Sequence, residues 1–222
     1  MNQVESFLKR PKLYYNIDGV GELGCGFLAL GWGLLTWLQV HSPEHTFWHS
    51  MWVLCIYTGL MLSIIHYGTK AIKERITYPR TGFVEYRKRN RAWHLIIGGA
   101  LGGLTVVGIC IAAQSNWNWT APAALAGLIF AAIYGYGLAR TVRWKWAVAA
   151  AMALGSLIIA FLPENLIGAL TDESMVTTVL PPRLERAYLL SIFLYGALML
   201  ISGGISFWLY LRYTQAPAED AL

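Results

Sequence analysis

Residues 69–93 read TKAIKERITYPRTGFVEYRKRNRAW and form the only long, strongly basic stretch between two long apolar runs. Lysine and arginine far outnumber the acidic residues of this stretch, Glu74 and Glu85. The apolar runs on either side are each about 20 residues long, which is the length of a helix that crosses a lipid bilayer. Because lysine and arginine are retained on the cytoplasmic side of a membrane, the stretch predicts a cytoplasmic loop between two transmembrane helices.

The composition of the whole chain agrees with a membrane protein. Of its 222 residues, 56% are hydrophobic and 13% are charged, and the mean hydropathy is +0.48. A soluble domain carries about 25% charged residues, so a soluble fold of this length would leave too much apolar surface facing water. The net charge of +5 comes from cations at the ends of apolar runs. That placement indicates membrane topology and argues against a nucleic-acid partner.

The apolar runs predict one all-α domain over residues 1–222, an integral membrane bundle of six transmembrane helices. The predicted spans are residues 20–40, 48–69, 93–113, 121–140, 145–163 and 187–211. The segments between and around them are an amphipathic cytoplasmic arm (1–17), the basic cytoplasmic loop (70–92), an outer loop or interfacial segment (164–186) and a cytoplasmic tail (213–222).

The distribution of positive charge predicts the orientation of the bundle. If the amino terminus lies in the cytoplasm, all 17 lysines and arginines except Arg183 and Arg186 fall on the cytoplasmic side of the six predicted spans. This asymmetry follows the positive-inside rule. The sequence therefore predicts an N-in/C-in topology, with both termini in the cytoplasm.

The basic loop contains residue types suited to binding phosphate. Arg75, Arg80 and Arg87 can each present a forked guanidinium to a phosphate group, and Tyr78 opens a turn signal at residues 78–82. These residues, Arg75, Tyr78, Arg80 and Arg87, are the predicted site for a lipid headgroup or a phosphorylated ligand. The alternative is that the charges only fix the orientation, since polybasic segments beside a membrane attract anionic lipid generically.

Asp18 and Glu22 form a second candidate site, at the start of the first predicted span. They are four residues apart, so on a helix they share a face and repel each other unless a cation lies nearby. The arginines of the basic loop are on the same side of the predicted membrane. We therefore expect ion pairs that tie the loop to the span, with a ligand or metal site as the alternative.

The run 75–87, RITYPRTGFVEYR, resembles a motif of small bacterial polytopic membrane proteins of uncharacterised function. In those proteins an aromatic arm and an acidic start to the first span precede the motif. The counterparts here are Tyr14, Tyr15, Asp18, Gly19 and Glu22. The resemblance covers about residues 14–91 and implies a multi-pass protein of the bacterial inner membrane, but it implies no activity.

Histidine and cysteine give weak signals for metal chemistry. His45 and His49 are four residues apart in the connection after the first span and are the candidates for a metal site if that segment is helical. The three cysteines, Cys25, Cys55 and Cys110, lie inside apolar runs without a C-x-x-C pair, so we expect buried thiols and no zinc site. No motif predicts a cofactor.

The third predicted span contains a face of small residues. Gly98 and Gly102, and likewise Gly99 and Gly103, are spaced for close contact between helices. This face predicts packing within the bundle, with a homo-oligomer contact as the alternative.

These features favour a non-enzymatic membrane protein that binds anionic lipid headgroups, or an acidic partner, through residues 70–91. One alternative is a small transporter with a polar cavity, lined by Glu22, Thr36, Gln39, Ser63 and His66. Another is an interfacial lipid-modifying enzyme, which requires Asp18, Glu22 and a histidine to meet the arginines. An enzyme is the weaker class because no nucleophile elbow, H-E-x-x-H motif or P-loop is present in the sequence.

Overall fold

The computed structural model describes residues 18–43, 45–78, 121–137, 142–163, 165–167 and 182–214. Its regular structure over these ranges is entirely helical. The five long α-helices of the described residues are α1 (Val20–His41), α2 (Met51–Ile72), α3 (Ala121–Gly137), α4 (Lys145–Phe161) and α5 (Pro182–Tyr213). A 3-10 turn (Phe47–His49) precedes α2, and a π turn (Lys73–Thr77) continues it.

Several of the described helices have the length and composition of membrane-spanning helices. Among the described residues, three stretches are long and apolar enough to cross a bilayer, namely Val20–Gln39, Trp52–Thr77 and Arg186–Tyr213. The helices α3 and α4 have 17 residues each and are apolar but shorter. Many large apolar side chains are exposed on the outside of the bundle, where lipid acyl chains would cover them.

The five described α-helices coincide with five of the predicted spans. Most boundaries agree with the prediction to within a few residues, and two differ by more. The second predicted span ends at residue 69, whereas helical structure continues through the π turn into the predicted basic loop. The cause is burial, because Lys73 and Thr77 lie against neighbouring helices. At the other boundary, α5 begins at Pro182, inside the predicted outer segment 164–186. Proline loses no hydrogen bond at the first helical position.

Several predicted features lie outside the described residues. They are the arm 1–17, the third span 93–113 with Gly98, Gly99, Gly102 and Gly103, most of the loop 70–92, and the end of the tail 213–222. Within the described bundle Cys25 and Cys55 are exposed, in contrast to their predicted burial. Both positions lie on helix faces that point away from the neighbouring described helices.

The centre of the bundle is the antiparallel pair of α1 and α5. A Cβ on Gly26 would lie 2.8 Å from Leu200, and a Cβ on Gly196 would lie 2.7 Å from Leu30. Real Cβ atoms do not approach so closely, so each leucine occupies space that only a glycine leaves open. This reciprocal contact holds the first and last described helices together.

The other helices pack on the outside of this central pair. On one side α2 lies against α1, where Trp32 Nε1 donates to Thr58 Oγ1 at 2.7 Å and the Tyr57 hydroxyl donates to the Phe27 carbonyl at 2.9 Å. On the other side α4 packs against α5 and α3 packs against α4. Their shared core contains Ala131, Tyr134, Ala149, Met152 and Tyr195.

Neighbouring helices in these contacts run antiparallel. As a result α1 and α4 begin at the end of the bundle where α2, α3 and α5 finish. We call this the basic end and the opposite one the far end.

Candidate functional site

Seven polar side chains are buried together at the basic end. No residue of this polar cluster is more than 5% exposed, and its members are Asp18, Glu22, Lys73, Thr77, Tyr134, Lys145 and Ser202. They come from the start of α1, the π turn, the end of α3, the start of α4 and the last third of α5. The cluster therefore joins all five long helices of the described part of the chain.

Glu22 is the acceptor at the centre of the cluster. The Lys145 ammonium donates to Glu22 Oε1, and the side chains of Glu22 and Lys145 are 1% and 0% exposed. Glu22 Oε2 accepts from the Tyr134 hydroxyl at 3.2 Å and from the Ser202 hydroxyl. Both carboxylate oxygens are thus satisfied, and one side chain links α1 to α3, α4 and α5. Removal of either charge would leave the other buried without its counter-ion.

Asp18 forms the second ion pair, immediately before α1. Its Oδ2 lies 3.8 Å from Lys73 Nζ and accepts from Thr77 Oγ1 at 3.2 Å, while its Oδ1 accepts from the Val20 amide at 3.3 Å. The Tyr210 hydroxyl donates to the Thr77 carbonyl at 3.0 Å. These bonds hold the π turn against α1 and α5. They also place a negative charge at a helix amino terminus, where the helix dipole favours it.

Burial raises the pKa of the Asp18 carboxyl above its usual value of 3.8. The Lys73 ammonium, the Val20 amide and the Thr77 hydroxyl act in the opposite direction without cancelling the effect of burial. The folded protein therefore binds the Asp18 proton more tightly than the unfolded chain does.

Gly19 allows the two carboxylates to reach the cluster. It adopts φ +70°, and a Cβ at this position would lie 2.5 Å from the Gly203 carbonyl oxygen and 2.6 Å from Ser206 Cβ. Both the backbone conformation and the lack of a side chain are needed for α1 to begin directly against α5. A larger residue here would displace Asp18 and Glu22 from their partners.

The structure places the predicted site residues in different environments. Asp18 and Glu22 both lie in the polar cluster, but their ion-pair partners are the lysines Lys73 and Lys145 rather than loop arginines. Arg75 is exposed on the π turn and Tyr78 is half-buried. Arg75 lies between Lys73 and Thr77 in sequence, so it points to the other side of the turn when those two face α1. The remaining predicted residues, Arg80 and Arg87, lie outside the described residues.

Sequence reasoning missed Lys145, Tyr134 and Ser202. In the sequence, Lys145 indicates only the membrane topology at the start of the fifth predicted span, and Tyr134 and Ser202 are polar residues within predicted spans. The predicted fifth span already begins at Lys145, as α4 does in the structure, but that position alone does not identify a partner. Its partner Glu22 lies 123 residues away in sequence, and spacing within one chain does not reveal such a pair.

A set of exposed cations surrounds the polar cluster at the basic end. Its members are Lys70, Arg75, Arg143 and Arg212. Lys70 makes an exposed ion pair with Glu74, and the Arg212 guanidinium lies 5.2 Å from the centre of the Trp208 ring. Among the described side chains, the one other arginine is Arg186, which is buried near the start of α5. The basic end is therefore the positively charged face of the described bundle.

The candidate metal ligands are not part of a larger group. His45 is exposed with φ +76°, and a His49 ring nitrogen lies 3.0 Å from the Gln39 carbonyl oxygen. Over the ranges that the structure describes, no three histidine, cysteine, aspartate or glutamate side chains form a group that could hold a metal ion. His49 thus serves to join α1 to the turn before α2.

The structure does not bring together the residues of the predicted transport cavity. Glu22 lies at the basic end, and Gln39 donates to the Ser50 carbonyl at the far end, about 25 Å away along α1. Ser63 and His66 are exposed on α2, and Thr36 donates to the Trp32 carbonyl within its own helix. The polar cluster as described also contains no histidine, which the lipid-modifying enzyme would require.

Comparisons of the chain with known protein families, with curated proteins and with solved structures found no match. The resemblance of residues 14–91 to small bacterial membrane proteins therefore stays a prediction.

Proposed function

We propose that the protein is a six-span integral membrane protein whose basic end lies at the cytoplasmic surface and binds anionic phospholipid headgroups. The observation that carries this proposal is the set of exposed cations, Lys70, Arg75, Arg143 and Arg212, at one end of an apolar bundle. A cation beside an anionic membrane surface contributes about 1 kcal/mol to its attraction. Three of the four are arginines, which can grip a phosphate with two parallel hydrogen bonds.

The directions of the described helices support six spans. The π turn after α2 lies at the basic end, because Thr77 bonds to Asp18. The helix α3 begins at the far end, because Tyr134, close to its last residue, reaches Glu22 in the polar cluster. Residues 79–120 therefore join opposite ends of the bundle and need one crossing. The predicted span 93–113 would supply it, which would bring the total to six.

The polar cluster does not itself attract anionic lipid, so the exposed cations are the source of that attraction. Inside the cluster, Asp18 and Glu22 balance Lys73 and Lys145, so the buried groups add no net charge. Their bonds fix the helix ends that carry the exposed cations. Asp18 and Glu22 thus position the binding face without contacting the headgroup.

Aromatic side chains at the basic end fit the same placement. Tyr136, Trp146, Trp208 and Tyr213 are all exposed there. Tyrosine and tryptophan are enriched at the level of the lipid headgroups, because one part of each ring system is apolar and another is polar. Arg212 stacks on Trp208 and would be held at that level.

Native mass spectrometry of the protein from nanodiscs that contain equal amounts of an anionic and a zwitterionic phospholipid tests the proposal. The unmodified chain is expected to retain the anionic lipid. A variant in which Lys70, Arg75, Arg143 and Arg212 are all alanine is expected to lower the ratio of retained anionic to zwitterionic lipid by at least about tenfold. The matched control exchanges lysine and arginine at the same four positions and keeps the charge. Equal retention by the alanine variant and the control would overturn the proposal.

A second variant extends the test to the predicted loop site. Arg75, Arg80 and Arg87 are changed to alanine together, with Tyr78 left in place. A further loss of anionic lipid would assign the loop to the same site. If only the loop variant lost the lipid, the site would lie in residues 70–91, and the other helix-end cations would act as topology signals.

The transporter remains the second candidate because of one observation, the Glu22–Lys145 pair inside an apolar bundle. Ionisable groups in membrane helices often mark an ion or substrate pathway. In proteoliposomes with an imposed pH gradient, a transporter would move protons or a solute, and Glu22→Gln would abolish that movement. An unchanged gradient with the unmodified protein would leave the pair with a structural role.

A further inference from the structure

One face of α2, to the side of its contact with α1, is small and polar. Cys55, Gly59, Ser63, His66 and Lys70 are all exposed, and at 100° per residue they fall within an arc of about 80°. We call this set the α2 stripe. Ile65, which contacts Gly24 of α1, lies about 120° around the helix from the middle of the stripe.

The α2 stripe is unsuited to contact with lipid. Histidine inside a membrane helix usually faces protein, because acyl chains offer no hydrogen-bond partner. The Ser63 hydroxyl donates to the Gly59 carbonyl of its own helix at 2.9 Å, so Ser63 contributes a small side chain to this face. A Cβ on Gly59 would meet no heavy atom within 4 Å in the described part of the chain, so this face has room for a close neighbour. Large apolar side chains on both flanks of the stripe are also exposed, including Ile56, Leu62 and Tyr67. Small residues between large ones are typical of a helix–helix contact in a membrane.

We infer that the α2 stripe is the docking face for residues 93–113 of the same chain. The chain leaves the π turn at the basic end, and residues 79–120 have to return to the far end where α3 begins. Only residues 79–92 separate the π turn from the predicted span. Elements joined by a short connection are usually neighbours in space. A helix 93–113 that runs antiparallel to α2 would also match the antiparallel packing of the other neighbouring helices.

The sequence of the predicted span complements the stripe. Gly99, Gly103 and Cys110 share one helical face, since their spacings of four and seven residues place them within about 40°. In an antiparallel pair that begins at the basic end, Gly99 and Gly103 come level with His66 and Ser63. Small residues on both helices then allow the backbones to approach.

The same register places two native cysteines together. Cys55 lies four residues after the start of α2 at the far end, and Cys110 lies three residues before the end of the predicted span. The inference rests on the crossing of residues 93–113 in the proposed six-span topology. It requires Cys55 and Cys110 to lie at the same depth on facing helices, whereas Cys25 lies near the basic end of α1.

Disulfide formation in the full-length protein in liposomes tests the docking. With copper phenanthroline, two neighbouring thiols give two electrons and two protons to dioxygen and become linked. The expected product is an intramolecular Cys55–Cys110 disulfide, identified by peptide mass spectrometry. It should be lost in Cys55→Ser and in Cys110→Ser and kept in Cys25→Ser, the matched control. A dimer linked through Cys55, or the absence of the Cys55–Cys110 product, would overturn the inference.

A second measurement separates failure of the docking from failure of the topology. In a cysteine-free background, Asn90→Cys and Asn116→Cys flank the predicted span and are labelled with a membrane-impermeant maleimide in sealed vesicles. Labelling from opposite sides together with the disulfide supports both. If the two cysteines are labelled from opposite sides but the disulfide does not form, the docking alone is wrong. If both are labelled from the same side, the six-span topology is wrong as well.

A leucine at Gly59 tests the stripe without relying on a thiol. Gly59→Leu adds bulk where the inferred neighbour lies, so it is expected to reduce the Cys55–Cys110 yield and lower the midpoint of thermal unfolding. Gly204→Leu is the control, because a Cβ at Gly204 likewise meets nothing within 4 Å in the described residues. If Gly59→Leu matched the control in both measurements, the stripe would face lipid and the inference would be wrong.

Discussion

Two ion pairs near the carboxyl end of α2 have the same length and different surroundings. Lys73 Nζ lies 3.8 Å from Asp18 and Lys70 Nζ lies 3.8 Å from Glu74. The side chains of the first pair are 4% and 1% exposed, and those of the second are 67% and 53% exposed. In water the second pair gains little, whereas the first pair is desolvated and depends on its counter-charge. We therefore expect the contribution of these two ion pairs to stability to depend on their burial and not on their length.

The most buried pair is expected to show the largest effect. Glu22→Ala or Lys145→Ala leaves one buried charge unpaired, which should lower the free energy of unfolding by about 3–5 kcal/mol. Unfolding by SDS titration in mixed micelles measures it. The double variant Glu22→Met/Lys145→Met removes both charges and should cost less than either single change. A double variant as costly as the sum of the singles would contradict this ranking.

The Asp18–Lys73 pair is expected to show a smaller effect. In Lys73→Met the Asp18 carboxylate keeps its bonds to Thr77 and the Val20 amide, so the loss should be about 1–3 kcal/mol. The same SDS titration measures it, with Lys73→Arg as the charge-preserving control. A loss as large as that of Lys145→Ala would show that the two pairs act as one unit.

The pH dependence of stability sharpens the comparison further. Burial raises the pKa of Asp18, so the folded protein holds this proton at pH values where the unfolded chain has released it. The contribution of Asp18 to stability is therefore highest at low pH and falls as the pH rises from 3.8 through the raised pKa. Asp18→Asn cannot ionise, so its unfolding midpoint relative to the unmodified protein is expected to rise as the pH is increased. A difference that stays constant or decreases would contradict the shift in the pKa.

The exposed pair should show the smallest effect. Glu74→Ala removes the partner of Lys70 and is expected to change the free energy of unfolding by about 0.3–0.5 kcal/mol. Added salt should diminish that effect further, because the pair is screened by solvent ions. The measurement is the same SDS titration at low and high ionic strength. A loss of unfolding free energy above about 1 kcal/mol would show that this pair is buried in the full-length protein.

The helices could be predicted from the sequence because long apolar runs are a local property. The predicted starts of α1 at residue 20 and α4 at residue 145 agree with the structure. The end of α2 could not be predicted in the same way. Basic residues indicate where a membrane ends, but the helix continues through the π turn because Lys73 and Thr77 find partners on α1 and α5.

The candidate site was predicted in part for the same reason. The spacing of Asp18 and Glu22 showed that they share a face and need cations. The identity of those cations depends on which helices meet, and that is set by the close contacts between α1 and α5 and between α3 and α4. Lys145 joins the cluster because its helix begins level with the first turn of α1, which no spacing along the chain reveals.

The central position of Glu22 has a consequence for biosynthesis. Its partner Lys145 is made 123 residues later and Ser202 is made 180 residues later. At a synthesis rate of 5–20 residues per second, roughly 10–40 s pass before the last of these partners leaves the ribosome. During that interval the carboxyl group of Glu22 has to be accommodated by water, lipid headgroups or the insertion machinery. The first of the described helices is thus among the last to reach its final environment.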